Sequence, residues 1–190
     1  MKMYPEVNGT LNTQGAETAI EKTKKVRPLW KELMIPLVKI ASVALAFVLL
    51  FTFLFGIARV QDPSMDPSIK DGDMVIFYRH KGGAYESGDV IAFRKDGQIQ
   101  VRRVIAVSGD TVDITGEGIL INGALQSEIG IFRDTERYQE GIDFPLTVPE
   151  RQIFVLGDNR TGATDSRIYG CVSVKDALGR VMTIIRRRSI

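Results

Sequence analysis

Residues 40–58 read IASVALAFVLLFTFLFGIA, nineteen residues without a charge, close to the ~20 that cross a ~30 Å hydrocarbon core at 1.5 Å per residue. A run this apolar predicts a transmembrane helix. The MIPLV before it extends the run past Lys39, whose long stem lets the ammonium reach the headgroups. Lys22, Lys24, Lys25, Arg27, Lys31 and Lys39 precede the run closely and only Arg59 follows it at once. The positive-inside rule therefore puts the amino terminus in the cytoplasm and residues 59–190 outside. A cleaved leader is the competing reading. It is disfavoured because the run exceeds an apolar leader core of roughly 7–15 residues and ends GIARVQD, without an Ala-x-Ala site.

The remaining length fits one further domain, since domains run to about 100–200 residues. Three segments are expected: residues 1–33 as a disordered, Gly/Thr/Asn-rich tail, 34–58 as the anchor, and 59–190 as the outer domain. Of the 25 Lys+Arg and 23 Asp+Glu, residues 1–39 hold seven and four, which leaves 18 and 19 for the rest. The outer domain thus lacks the basic surface that nucleic acid requires, and no nucleic-acid partner is expected. One cysteine, Cys171, and one histidine, His80, exclude an internal disulfide and a Cys/His zinc site. No metal or organic cofactor is implied.

Past the anchor, short β-branched runs alternate with turn residues: DMVIFYR, DVIAFRK, IQVRRVIAV, DTVDI, GILING and RQIFVLGD. Their spacing predicts a mainly β domain. Asp71-Gly72-Asp73, Lys81-Gly82-Gly83, Asp96-Gly97 and Asn122-Gly123 mark the turns, and Asp96-Gly97 predicts a tight hairpin. A short helix is expected only around residues 173–178.

Four segments carry chemistry. The first is DPSMDPS from Asp62, where Ser64 lies between prolines on a stiff, irregular stretch. After it come GDVIAF from Gly88, VRRVIAVSGD from Val101, and GDNRTGATDSR from Gly157. In this order, after an amino-in anchor, they resemble the bacterial type I signal peptidase family, in its single-anchor Gram-positive form. The resemblance runs from about Val60 to Gly179-Arg180-Val181.

It implies an antiparallel β fold and a serine endopeptidase that cleaves secretory preproteins at the outer membrane surface. Ser64 is the implied nucleophile. Asp158, Arg160, Asp165, Ser166 and Arg167 are implied to support the site by ion pairs and hydrogen bonds, with Met65 and Pro67 at the substrate groove. The implied partners are the lipid bilayer and secretory preproteins or surface-protein precursors, with an active signal peptidase or secretion machinery alongside.

Three positions depart from the family pattern. The lysine that serves as base before RV is Arg102, and arginine stays protonated at a pKa of about 12.5–13.8, so it cannot take the proton of Ser64. The serine that hydrogen-bonds that lysine is Ala163. Asp62 stands two before the nucleophile, where a hydroxyl often donates to the oxyanion; a carboxylate cannot, which leaves the Ser64 N–H as the expected donor. Asp165 is the expected partner of Arg102.

His80 and Lys95 fall outside the base register, and Cys171 reads as a small apolar residue. The three changes also admit a second reading, a catalytically impaired relative that binds preproteins or pilus-type subunits and assists their assembly. A third, a repressor-type self-cleaving relative, is disfavoured because an anchor stands where a helix-turn-helix would be.

Overall fold

The computed structural model describes residues 29–80, 83–127, 131 and 134–186. The expected tail before Leu29 and the turn expected at Lys81-Gly82 lie outside the described residues.

Helix α1 spans Leu29–Leu54, about 39 Å at 1.5 Å per residue. Its Glu32–Leu54 portion is long and apolar enough to cross a membrane, and none of that apolar window is buried. The helix starts within the expected tail, because LWKEL offers good helix formers with Glu32 in the first turn. It stops at Leu54, short of residue 58. Phe55–Arg59 instead forms strand β1, paired antiparallel with β2 (Met74–Tyr78). Gly56 is what allows this register: a Cβ there would lie 2.3 Å from Cζ of Phe77.

Every strand pair among the described residues is antiparallel, as the family resemblance implies, in the mainly β domain that the strand spacing predicts. After β2 come β3 (Val90–Lys95), β4 (Gln98–Val107), β5 (Thr111–Thr115), β6 (Gly118–Ile121) and β7 (Ala124–Leu125). They are followed by β8 (Leu146–Thr147), β9 (Gln152–Leu156), a one-turn helix α2 (Ser166–Tyr169), β10 (Val172–Ser173) and β11 (Ala177–Ile185). One sheet has the order β1-β2-β11-β3-β4-β9-β10 and the other β7-β6-β5-β8.

Asp96 and Gly97 both take positive φ, 51° and 78°, so β3 and β4 form the expected hairpin, closed by a type I′ turn. Asn122 and Gly123, at 53° and 80°, do the same between β6 and β7. The helix expected over 173–178 does not form. Val172 and Ser173 pair with β9, the Ser173 hydroxyl caps a 3₁₀ turn at Val174–Asp176, and Ala177 enters β11 against Phe93.

Three apolar clusters fill the domain. One joins Val60, Met65, Ile69, Val75, Phe77, Ala92 and Val101. A second joins Ile91, Phe93, Val104 and Val155, and a third lies around Phe154, Leu156, Val112 and Ile114. The first holds the Ser64 segment in place.

Candidate active site

The chain leaves β1 and is tied at once: Val60 donates its N–H to Asp73 O at 2.9 Å, and Gly72 returns one to Val60 O at 3.0 Å. Pro63–Met65 then forms a 3₁₀ turn, with proline pre-set in its first turn and Asp62 as cap. Met65 is fully buried in the first cluster and supports the turn from beneath, while Pro67 is exposed. Ser64 is buried, and its Oγ makes no hydrogen bond among the described residues.

The loop after β9 embraces this turn. Asn159 donates its N–H to Ser64 O at 2.9 Å, and its side-chain amide donates to Pro63 O at 3.2 Å. Gly157 makes the approach possible: a Cβ there would lie 2.4 Å from Ser64 O and 2.3 Å from the Cβ of Ala163. Gly157→Ala is therefore expected to push the loop off the serine turn at about 1–3 kcal/mol, the usual cost of overpacking. A lowered urea midpoint of the detergent-solubilised chain would register it.

Within the loop, Asp165 and Arg167 form a closed pair. Arg167 donates from Nε to Oδ1 at 2.9 Å and from Nη2 to Oδ2 at 2.8 Å, and both residues are at most 1% exposed. Asp165 also accepts the N–H groups of Gly157 and Arg167, each at 3.1 Å. Arg160 donates to Gly157 O and to Thr135 Oγ1, and Ser166 Oγ accepts the N–H of Val155 at 3.0 Å. Asp158 grips Arg103 through two bonds of 2.8 and 2.7 Å. Arg160, Asp165 and Arg167 are thus bonded to one another directly or through Gly157, while Ser166 ties the loop to β9 and Asp158 ties it to β4. Three side chains here carried no assignment from the sequence: Thr135, Arg103, and Tyr138, which donates to Ala163 O at 3.0 Å and lies under Arg167 at 4.6 Å.

Arg102, on β4 opposite Ile91, is 2% exposed. Its expected partner was Asp165; its actual one is Asp62, at 3.3 Å. Asp165 is unavailable because the Arg167 fork and two amides use both of its oxygens. The other guanidinium N–H groups go to Val101 O at 2.7 Å and Thr164 O at 3.0 and 3.1 Å, so the buried cation is fully bonded. A second correction follows from the same carboxylate. Asp62 Oδ1 accepts the Ser64 N–H at 2.8 Å, so the amide expected to be free for an oxyanion is occupied.

The Tyr169 hydroxyl is buried beside this pair. Burial pushes its pKa up, and the Arg102 charge partly offsets that. Lys95 lies 4.5 Å over the Tyr169 ring. His80 is exposed. Burial pushes the Cys171 thiol up to about 11, which leaves it protonated near neutrality.

A buried serine on a proline-led turn, clamped by a GDNR loop and backed by a buried arginine, has relatives. The signal peptidase, peptidase S26 family model matches residues 32–186. The chain belongs to that family. It is similar to signal peptidase IB of Staphylococcus aureus (strain N315), 32% identical over 162 residues, covering 75% of this chain and 85% of the relative. It is also similar to signal peptidase I of Bacillus licheniformis, 34% identical over 141 residues, with 68% and 76% covered. A crystal structure of a signal peptidase I from Enterococcus faecalis V583 matches with a TM-score of 0.44 at 33% identity, over 53% of this chain and 98% of that one. Membership places this family member among serine endopeptidases and agrees with the fold expected from its motifs.

Proposed function

We propose that this chain is a membrane-anchored signal peptidase that cleaves secretory preproteins at the outer surface of the bilayer, with Ser64 as nucleophile. The proposed layout is a cytoplasmic tail over residues 1–33, an anchor through the apolar run, and the outer domain over 59–190. The observation that carries the reading is the clamped turn, which holds Ser64 ten residues beyond the end of an apolar helix. A preprotein's own apolar segment would deliver its cleavage site to the same level, so proximity supplies part of the rate.

In the reaction Ser64 Oγ bonds to the scissile carbonyl carbon, the amine leaves with a proton, and water then releases the acyl chain from the serine ester. Arg102, in the place of the family's lysine, holds Asp62 and Thr164 but accepts no proton. Water must take the proton of Ser64, and turnover is slow. A second reading, holding a preprotein or surface-protein subunit without cutting it, is favoured by the Asp62 carboxylate seated on the Ser64 amide.

The test is incubation of the detergent-solubilised chain with a tagged preprotein. Slow cleavage that Ser64→Ala abolishes is the expected result. Capture of the preprotein with no cut, unchanged in Ser64→Ala, would establish the second reading instead.

A further inference from the structure

The sheet edge that follows the anchor carries large apolar side chains on both faces. Ala58, Val75, Phe77, Val181 and Ile184 pack inward. Outward, cross-strand rows set Ile57 beside Ile76 and Thr183, and Arg59 beside Met74 and Ile185. Ile57, Met74, Met182 and Ile185 are 57, 41, 62 and 49% exposed. A water-facing antiparallel sheet turns polar residues outward; here four large apolar side chains share the outward face with Arg59 and Thr183.

Within that face lies a cleft of about 400 Å³ lined by Arg59, Gly72, Met74, Ile185 and Arg186. Two arginines thus line one cleft with apolar walls, and Arg59 Nη2 lies 3.8 Å from where a Cβ on Gly72 would stand. Neither makes an ion pair or side-chain hydrogen bond among the described residues. Two like charges held together favour a shared anion, and arginine's planar fork suits the paired oxygens of a phosphate. The apolar walls select an anion attached to hydrocarbon. Strand β1, which carries Arg59, begins at the residue after α1 ends, so the cleft's own strand is continuous with the apolar segment.

We propose that the cleft between Arg59 and Arg186 binds the headgroup phosphate of an anionic phospholipid, with Met74 and Ile185 against the glycerol and upper acyl chains. This rests on the proposed membrane anchoring and adds a defined lipid site on the outer domain.

The test is native mass spectrometry of the full chain in detergent micelles, with phosphatidylglycerol or phosphatidylcholine added. The expected result is preferential retention of phosphatidylglycerol. Arg59→Gln with Arg186→Gln should weaken it about twenty-five-fold, roughly fivefold per arginine lost near a lipid surface, while Lys175→Gln, outside the cleft, leaves it unchanged. Equal retention of both lipids, or phosphatidylglycerol held as well by the double variant, would overturn the assignment. Displacement by low-millimolar inorganic phosphate would show a free-anion site and overturn the lipid source. Recovery of the full chain in the soluble fraction of lysed cells, without detergent, would sink the anchoring reading while leaving the micelle result standing, so the two failures are distinguishable.

Discussion

Combining Asp62→Ser, Arg102→Lys and Ala163→Ser is expected to raise preprotein cleavage by about a hundred- to ten-thousand-fold, the range that a general base contributes. The geometry explains why three changes are needed. Arg102→Lys alone places an ammonium beside the Asp62 carboxylate, 3.3 Å from the present guanidinium. A neighbouring opposite charge favours the protonated amine, which is no base. Asp62→Ser removes that charge, releases the Ser64 N–H now spent on Oδ1, and supplies a hydroxyl donor two residues before the nucleophile. Ala163→Ser gives the new amine a hydrogen-bond partner, and Ala163 is close enough to the turn that Gly157 could not carry a Cβ between them.

The single variants sharpen the expectation. Arg102→Lys should show little gain. Asp62→Ser alone should lose stability, because it strands a guanidinium that is 2% exposed and breaking a buried pair costs about 3–5 kcal/mol, somewhat less here because Asp62 is 34% exposed. Initial cleavage rates of a tagged preprotein, taken beside each variant's urea midpoint, separate catalysis from folding. A correctly folded triple variant no faster than the parent would show that the base is not what limits this site.

The sequence disclosed the strands, the hairpin at Asp96-Gly97 and the serine turn because each is local. Alternating burial, positive-φ turn residues and proline spacing are written within a few residues of one another. The end of α1 was less legible. Phe55–Arg59 reads as the tail of an apolar helix until Met74–Tyr78 pairs with it, and that partner lies well along the chain. Pairings among charged side chains were hardest. Asp62, Asp158 and Asp165 are equivalent by composition, and only the fold decides that Arg102 meets the first, Arg103 the second and Arg167 the third. Tyr138 gave no signal, since its segment lacks periodicity and its role depends on the loop that it touches.

Arg167→Ala is expected to cost about 3–5 kcal/mol, the usual penalty for stranding one member of a buried ion pair, while Arg137→Ala costs about 1 kcal/mol or less. Both arginines reach an aspartate at short range, 2.8 Å to Asp165 and 2.6 Å to Asp113. They differ in solvent access: the side chains of the first pair are 1% and 0% exposed, those of the second 46% and 31%. Water replaces the lost partner of Asp113 but cannot reach Asp165.

Removing both members of the buried pair with apolar residues is often tolerated in other proteins. Here it is not expected to be, because Asp165 also accepts the N–H groups of Gly157 and Arg167 and caps α2. Asp165→Leu with Arg167→Met should therefore stay within about 1 kcal/mol of Arg167→Ala alone, since two orphaned buried amides cost about 1–3 kcal/mol each. Urea unfolding of the detergent-solubilised chain measures all three variants. A double variant as stable as the parent would mean that the loop around Ser64 is held by packing, with the aspartate's amide bonds contributing little.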